Sequence, residues 1–524
     1  MSRLRPAHLA LLLVAASLAL HVALAGAVPL SPQEAYYWQY ARHPALSYFD
    51  HPPLAAWTIR ATTALLGDGE RAVRLAAALH GAVFALFFFL GGRRLFGDRA
   101  ALLAVAGALV APIFAVGATV ITPDAPLLAG WAAAIYCTVR ALDEERGAWL
   151  LGAGTAAGLA ALAKYTGWLL APQILLALLL DARGRRLLRG PWPWLGLLLA
   201  LALFSPVLIW NAGHGWASFG FQLASRAAGA GHASPGRFGR YVGLQALAVT
   251  PLLWAAAWAG ALAAAARWRE PSWRIAALFS LPALALFTAV SPFVWVKGNW
   301  VAPAYPAALL AAAALAVEQR RRGAVAATLA VGVAGSLYLH LVMLVPALPF
   351  PARDDVTAGW RELASRVEAE LRRLPEAAFV VGCTYKPASE LAYYLPGRPE
   401  TYGQNAVGGP GLQYGFWLPD GALAGREGIL VLDEREGDAC ARREEYCRPL
   451  LPLDPLTVRR GDRVVTTFRL WRCRWTAPGS PRRAGTPRTA PDRGAAGRRR
   501  SSRGDRARSR TAPDRPGRGG AGSR

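Results

Sequence analysis

The chain has 524 residues, 54% of them hydrophobic and only 17% charged, with a mean hydropathy of +0.26. Soluble domains carry nearer a quarter charged residues, so this composition excludes an ordinary water-soluble globule. Five cysteines, unpatterned glycine and abundant aliphatics exclude disulfide-scaffold, collagen-like and wholly disordered chains. Long Ala, Leu and Val runs reach the roughly 20 residues that a bilayer core demands. The pattern is that of a polytopic α-helical membrane protein.

The net charge of +25 is not read as a nucleic-acid footprint. Residues Thr476 to Arg524 hold 14 Arg against 3 Asp and supply +11 of it. Most of the remainder sits in short loops between apolar runs, where membrane topology explains it. Only three of the 58 basic residues are lysine: Lys164, Lys297 and Lys386. Two of them lie beside membrane segments, which marks them as functional candidates; escape from a codon bias is the plain alternative.

In chain order, the first apolar run spans about 9–28 behind Arg3 and Arg5. Its small residues Ala25-Gly26-Ala27 mimic a signal-peptide cleavage site, but the many runs that follow favour an uncleaved first span. Ser31 with Glu34 three residues later, and Pro32 between, is a capping box opening a helix. The aromatics at 36, 37, 38 and 40 predict that this helix lies on the membrane surface. Glu34 is then either a structural cap or a carboxylate at the headgroup boundary. Pro52-Pro53 holds Asp50 and His51 extended just before the next helix. His51 is a candidate cation for phosphate; Asp50 is a candidate to orient it, to bind a divalent metal with it, or simply to form a turn.

Further runs lie near 72–90, 100–117, 125–141, 149–163, 166–180, 191–210, 241–263, 274–291, 300–317 and 324–346, giving about 11–13 spans. With the N-terminus inside, alternate loops carry Arg93, Arg94 and Arg99, then Arg140 and Arg146, then Arg183 to Arg189, then Arg267 and Arg269, then Arg320 to Arg322. This positive-inside pattern puts 29–71, 118–124, 211–240, 292–299 and everything after about 346 outside. Thr122-Pro123-Asp124 is another helix start, with Asp124 either a first-turn cap or a second outer carboxylate. The 211–240 segment offers His214, Trp216, Arg226, His232 and Arg237 as a closing loop.

Residues 1–346 are therefore read as a membrane domain and 347–475 as a small α/β extracytoplasmic domain. The latter has a predicted helix over 357–374 and strands at 379–381, 429–432 and 464–468. It holds four of the five cysteines, and Cys440 with Cys447 is the expected pair. The Arg/Pro-rich tail, 476–524, is expected to be disordered.

The outer segments resemble the membrane glycosyltransferases of the GT-C superfamily, specifically bacterial relatives of protein O-mannosyltransferases and of the lipid A aminoarabinose transferase. The resemblance rests on Glu34-Ala-Tyr-Tyr-Trp, Tyr48-Phe-Asp-His-Pro-Pro, Ile121-Thr-Pro-Asp124-Ala-Pro and Leu162-Ala-Lys164-Tyr-Thr-Gly. Ser205-Pro-Val-Leu-Ile-Trp-Asn211, Trp216-Ala-Ser-Phe-Gly-Phe-Gln222 and Lys297-Gly-Asn-Trp-Val-Ala-Pro-Ala-Tyr305 match as well. It implies transfer of a sugar from a polyprenyl-phosphate carrier to a lipid, glycan or protein hydroxyl on the outer face of a bacterial inner membrane. The family's acidic pair in the first outer loop supplies its catalytic carboxylate. Here Gln33 takes the first position, leaving Glu34 as the candidate base, with Asp124 and Asp50 beside it. His51, Lys164, Tyr165, Lys297, His214, Gln222 and Tyr37 are the candidates for holding phosphate and sugar.

Glycosyl phosphate is an activated donor, so one carboxylate base opposite a cationic clamp suffices, and direct displacement inverts the anomeric centre. The alternatives are a flippase of lipid-linked sugars, which predicts mid-span charges and broken helices in matching halves, and a non-catalytic relative. No zinc cluster, P-loop or nucleotide-binding glycine run is present in the sequence.

Overall fold

The computed structural model describes residues 5–228, 231–418 and 422–476; the basic tail and the Arg226 side chain lie outside the described residues. The membrane part runs α1 (Pro6–Leu24), α2 (Pro32–Arg42), α3 (Leu54–Leu66), α4 (Glu70–Leu109), α5 (Pro112–Gly117), α6 (Asp124–Glu144) and α7 (Trp149–Ala163). A 3-10 turn, Tyr165–Leu169, leads to α8 (Leu170–Leu180), α9 (Ala182–Leu187), α10 (Trp192–Gly213) and α11 (Ala217–Ala228). Then come α12 (Pro235–Val249), α13 (Pro251–Ala266), α14 (Pro271–Val290), a 3-10 segment Gly298–Ala304, α15 (Tyr305–Glu318) and α16 (Arg322–Leu344).

Among the described residues seven helices are long and apolar enough to cross a bilayer, or eight with α12 and α13 taken as one bent span. The eleven apolar runs read from the sequence all fall in helical segments, and three backbone breaks lie between or within them. The 40 residues of α4 would measure about 60 Å, twice a hydrocarbon core. It is broken at Gly97, whose φ of 82° favours glycine, beside Arg93, Arg94 and Arg99. The run near 241–263 bends by 102° at Thr250, where φ is 79° and Pro251 opens a new helix. Between α7 and α8 the backbone opens at Lys164, which is extended (φ −154°, ψ 139°). Close packing comes from small residues: a Cβ on Gly154 of α7 would fall 2.1 Å from the Gly196 carbonyl of α10.

Beyond α16 lie α17 (Trp360–Leu371), β1 (Phe379–Gly382), α18 (Tyr385–Tyr394), β2 (Thr401–Tyr402), β3 (Glu427–Asp433), α19 (Arg443–Tyr446), β4 (Cys447–Arg460) and β5 (Arg463–Trp475). The strands form one mixed sheet in the order β2-β1-β3-β5-β4. Val380 aligns with Thr401 and Ile429 in parallel pairs, and Leu430 opposes Trp471 in an antiparallel one. Trp360, Leu363 and Val367 of α17 pack on the sheet with Val380, Ile429 and Phe468. Strand β4 and helix α18 went unread in the sequence: β4 carries three prolines and alternates weakly, and α18 holds only ten residues.

The expected Cys440–Cys447 pair is replaced by Cys383–Cys440 and Cys447–Cys473. Nearness in sequence misled here. Cys440 lies under the end of β1, whereas Cys447 opens β4 and faces β5, with α19 between them. Cys137, buried in α6, is the free thiol.

The domain is fastened to the membrane helices by ion pairs. Arg361 meets Glu70 at 2.6 Å, Arg398 meets Asp68 at 3.0 Å, and Arg42 meets Glu400 at 3.1 Å. Arg460, paired with Asp355 at 2.8 Å, donates to the Val345 carbonyl at the C-terminal end of α16. Alkylation of denatured, unreduced protein should therefore label one thiol of five, and peptide mapping should recover 383–440 and 447–473. The chain-entropy account assigns each bridge about 3–4 kcal/mol, so Ser replacement of either pair should lower the unfolding temperature.

Candidate active site

Ser31 caps α2 as the sequence predicts: its N–H donates to Glu34 Oε2 at 2.9 Å and its hydroxyl accepts from the Glu34 N–H. The helix does not lie open on the membrane, however. Nine of its eleven residues are buried, because α18 of the C-terminal domain covers it. The aromatics expected at the headgroup layer instead form a core with Ala388, Ala392 and Tyr414. Trp38, for example, packs edge-on to Tyr393 at 4.8 Å.

Glu34 is fully buried, and so is Arg74 from α4. Arg74 Nε and Nη2 donate to Glu34 Oε1 and Oε2, both at 2.8 Å. Its remaining protons go to the carbonyls of Ala25, Val28 and Pro29. The Ile121 N–H approaches Glu34 Oε1 at 3.4 Å. Both Glu34 oxygens are thus occupied by protein donors, which leaves no open face for an acceptor hydroxyl. The geometry favours the structural reading of Glu34 over the expected base. Glu390 of α18 lies close by, 1% exposed, and neither of its oxygens meets a donor among the described residues. Burial and the nearby Glu34 charge push its carboxyl well above the usual range.

Asp50 and Asp124 flank Tyr37. Burial, Asp50, Tyr385 and Asp124 together hold the Tyr37 hydroxyl protonated far above its ordinary range. Asp50 Oδ1 accepts from Tyr36 at 3.1 Å and from Tyr40 in a short contact. Tyr36 and Tyr40 are four residues apart, one helical turn, and so reach the same point. Burial raises the Asp50 pKa above its ordinary value, outweighing the Tyr40 and Tyr36 hydrogen bonds and the pull of Lys297. Gln222 of α11 donates to the Asp50 carbonyl at 2.9 Å, so it steadies the loop. The His51 ring stands edge-on to Tyr37 at 5.8 Å.

Asp124 begins α6, and both of its oxygens are taken. Lys164 Nζ donates to Oδ1 at 2.7 Å and Asn299 Nδ2 donates to Oδ2 at 2.6 Å. The open backbone at Lys164 lets this lysine turn inward from the end of α7. Lys297, two residues before Asn299, is exposed. Tyr165, beside Lys164, packs against Phe219 at 5.5 Å and feels the Asp50 charge. His214 stands apart from this cluster; it is exposed, stacked on Trp210 at 4.0 Å, with Nδ1 on the Trp210 carbonyl at 2.7 Å.

The candidate divalent site at Asp50 and His51 gains no further ligand. Among the described residues no three His, Cys, Asp or Glu side chains converge, and Asp50 Oδ1 is engaged by two phenols. Sequence reasoning missed Arg74, Tyr36, Tyr40, Asn299 and Gln413. Arg74 had a signal, a lone cation at the start of the 72–90 apolar run.

Residues 50–210 match the family described as dolichyl-phosphate-mannose-protein mannosyltransferase. No curated protein matches the sequence. Among solved structures, ArnT from Cupriavidus metallidurans in its apo state is similar with a TM-score of 0.60 and 18% identity, covering 88% of this chain and 97% of that one. The same protein bound to undecaprenyl phosphate gives 0.57 and 17% over the same shares of the two chains. An oligosaccharyltransferase from Archaeoglobus fulgidus, crystallised with Zn and sulfate, gives 0.48 and 14%, covering 84% of this chain and 72% of that one. The chain shares the fold of the ArnT structures, and residues 50–210 carry the mannosyltransferase family's segment, in keeping with the GT-C resemblance of the outer segments.

Replacing Arg74 by Leu should strand a buried carboxylate and destabilise the protein by about 3–5 kcal/mol. Glu34→Gln should cost less, and the double variant should recover part of the Arg74→Leu loss. Thermal unfolding in detergent measures all three.

Proposed function

We propose that the protein is an inverting glycosyltransferase of the outer face of the bacterial inner membrane. It moves a sugar from a polyprenyl-phosphate carrier to a hydroxyl on a lipid, glycan or protein. The observation that carries this reading is the convergence of Asp50 with the Asp124–Lys164 pair around Tyr37, under the C-terminal domain. Positive-inside loop charges support the orientation, and the undecaprenyl phosphate bound by the similar ArnT structure supports the class of carrier.

Asp50, rather than Glu34, is the base in this reading. Two phenols, Tyr36 and Tyr40, fix its Oδ1 and so orient the carboxylate. Oδ2 takes the proton of the acceptor hydroxyl as that oxygen attacks the anomeric carbon. The carbon–oxygen bond to phosphate breaks with its electron pair on the phosphate, which departs as the polyprenyl phosphate anion. Lys297 and His51 face that charge, while Lys164 is already committed to Asp124. Asp124, with both oxygens engaged, orients Lys164 and Asn299 and is not a second base.

The test is turnover by purified protein given undecaprenyl-phosphate hexoses and pentoses with a panel of hydroxyl acceptors. Asp50→Asn should lower kcat by roughly 10²–10⁴-fold. Unchanged turnover would remove the base assignment, and no turnover by wild type with any donor would favour a transport or non-catalytic role. The base must be ionised, so activity should fall as pH drops through the Asp50 pKa. Because burial raises that pKa, the acid limb should lie above the ordinary carboxylate value of about 4.

A further inference from the structure

One chain of hydrogen bonds runs from the C-terminal domain into the Asp50 loop. The backbone N–H of Gln413 donates to the Tyr36 hydroxyl at 3.0 Å, and that hydroxyl donates to Asp50 Oδ1 at 3.1 Å. The Gln413 side chain reaches the same loop by a second route. Its Oε1 accepts the N–H of Phe49, the residue before Asp50, at 2.7 Å. Gln413 is 3% exposed, so water does not compete for these bonds. The turn that delivers it is an uncommon one: Leu412 has a φ of 48°, a conformation that leucine rarely takes. Phe416, three residues on, packs against Phe49 at 5.2 Å.

We infer that Gln413 is a positioning residue through which the C-terminal domain sets the orientation and basicity of the Asp50 carboxylate. The functional half of this inference rests on the base role proposed above. A phenol that accepts a hydrogen bond becomes a stronger donor, so the Gln413 N–H strengthens the Tyr36 bond to Asp50 and favours the ionised form. The Phe49 contact fixes the backbone on one side of Asp50 while Gln222 holds its carbonyl on the other. The other groups bearing on Asp50 are Tyr40 and Tyr37 of α2, Lys297 from the α14–α15 connection, and at longer range Tyr165 and Tyr385. All of these remain in Tyr36→Phe, which removes the relay's hydroxyl, whereas Gln413→Leu keeps the backbone N–H and removes only the side-chain bond to Phe49.

Carbodiimide coupling followed by peptide mass spectrometry across pH reports the protonated fraction of Asp50 without any substrate. Asp50→Asn serves as the blank. Tyr36→Phe, which cuts the relay and keeps the ring, should raise the Asp50 midpoint by roughly half a pH unit or more; Gln413→Leu, which keeps the backbone N–H but releases Phe49, should raise it by a smaller amount. In turnover with undecaprenyl-phosphate sugars both should lower kcat about 10–100-fold, with the donor KM within about twofold. Unshifted midpoints in both variants overturn the inference whatever their turnover, and so does a loss confined to thermal stability. Wild-type turnover by Asp50→Asn would instead overturn the base role and, with it, the functional half of the inference.

Discussion

Arg74 holds four stretches of chain together at one end of the helix bundle. It comes from α4, takes the carbonyls of Ala25, Val28 and Pro29 from the end of the first span, and clamps Glu34 at the start of α2. Through Glu34 it reaches the segment before Asp124, at the Ile121 amide. A guanidinium with five donors in a planar fork suits this task, where an ammonium would satisfy fewer partners. Neither charge meets solvent, so each needs the other, and the geometry of the junction is correspondingly fixed. Helix α2, which carries Tyr36, Tyr37 and Tyr40, is the rigid element that this junction aims.

On that platform, carboxylates of the same chemical type take different duties. Glu34 is spent on architecture, and burial beside Glu34 pushes the Glu390 carboxyl above its ordinary range. Asp124 is held by Lys164 and Asn299 on both oxygens, whereas Asp50 Oδ1 is held by two phenols. What separates them is the number of donors each meets, and only the folded chain reveals that number. Positive groups follow the same logic. Lys164 is drawn inward by Asp124, while Lys297 remains at the surface.

Much of this was legible in the sequence. Apolar run length marked where the membrane helices lie, and Ser31 with Glu34 announced the capping box that forms. The outer segments carrying Asp50, Asp124, Lys164 and Lys297 were singled out, and Lys164 bonds to Asp124, Lys297 acts on Asp50, and both carboxylates act on Tyr37. Other features depended on long-range partners. That α2 would be covered rather than lie at an interface follows from α18, some 350 residues later, whose own pattern is too short to read. The disulfide pairing follows from sheet order, which brings residue 383 beside 440 and strand β4 beside β5. Gln413 sits in a stretch of glycine and aromatic residues with no periodicity at all, and its role is set by the 364-residue separation from Phe49.

The bond between Cys383 and Cys440 has a further bearing on this arrangement. The ring it closes encloses α18, the turn at Leu412 and Gln413. Everything that the C-terminal domain presents to the Asp50 loop is therefore tethered at both ends by a linkage indifferent to lipid and to ionic strength. With Cys383 and Cys440 reduced, the same segment would be an open loop held by non-covalent contacts alone. Maturation of the thiols and readiness of the carboxylate are in this way properties of a single covalent circle.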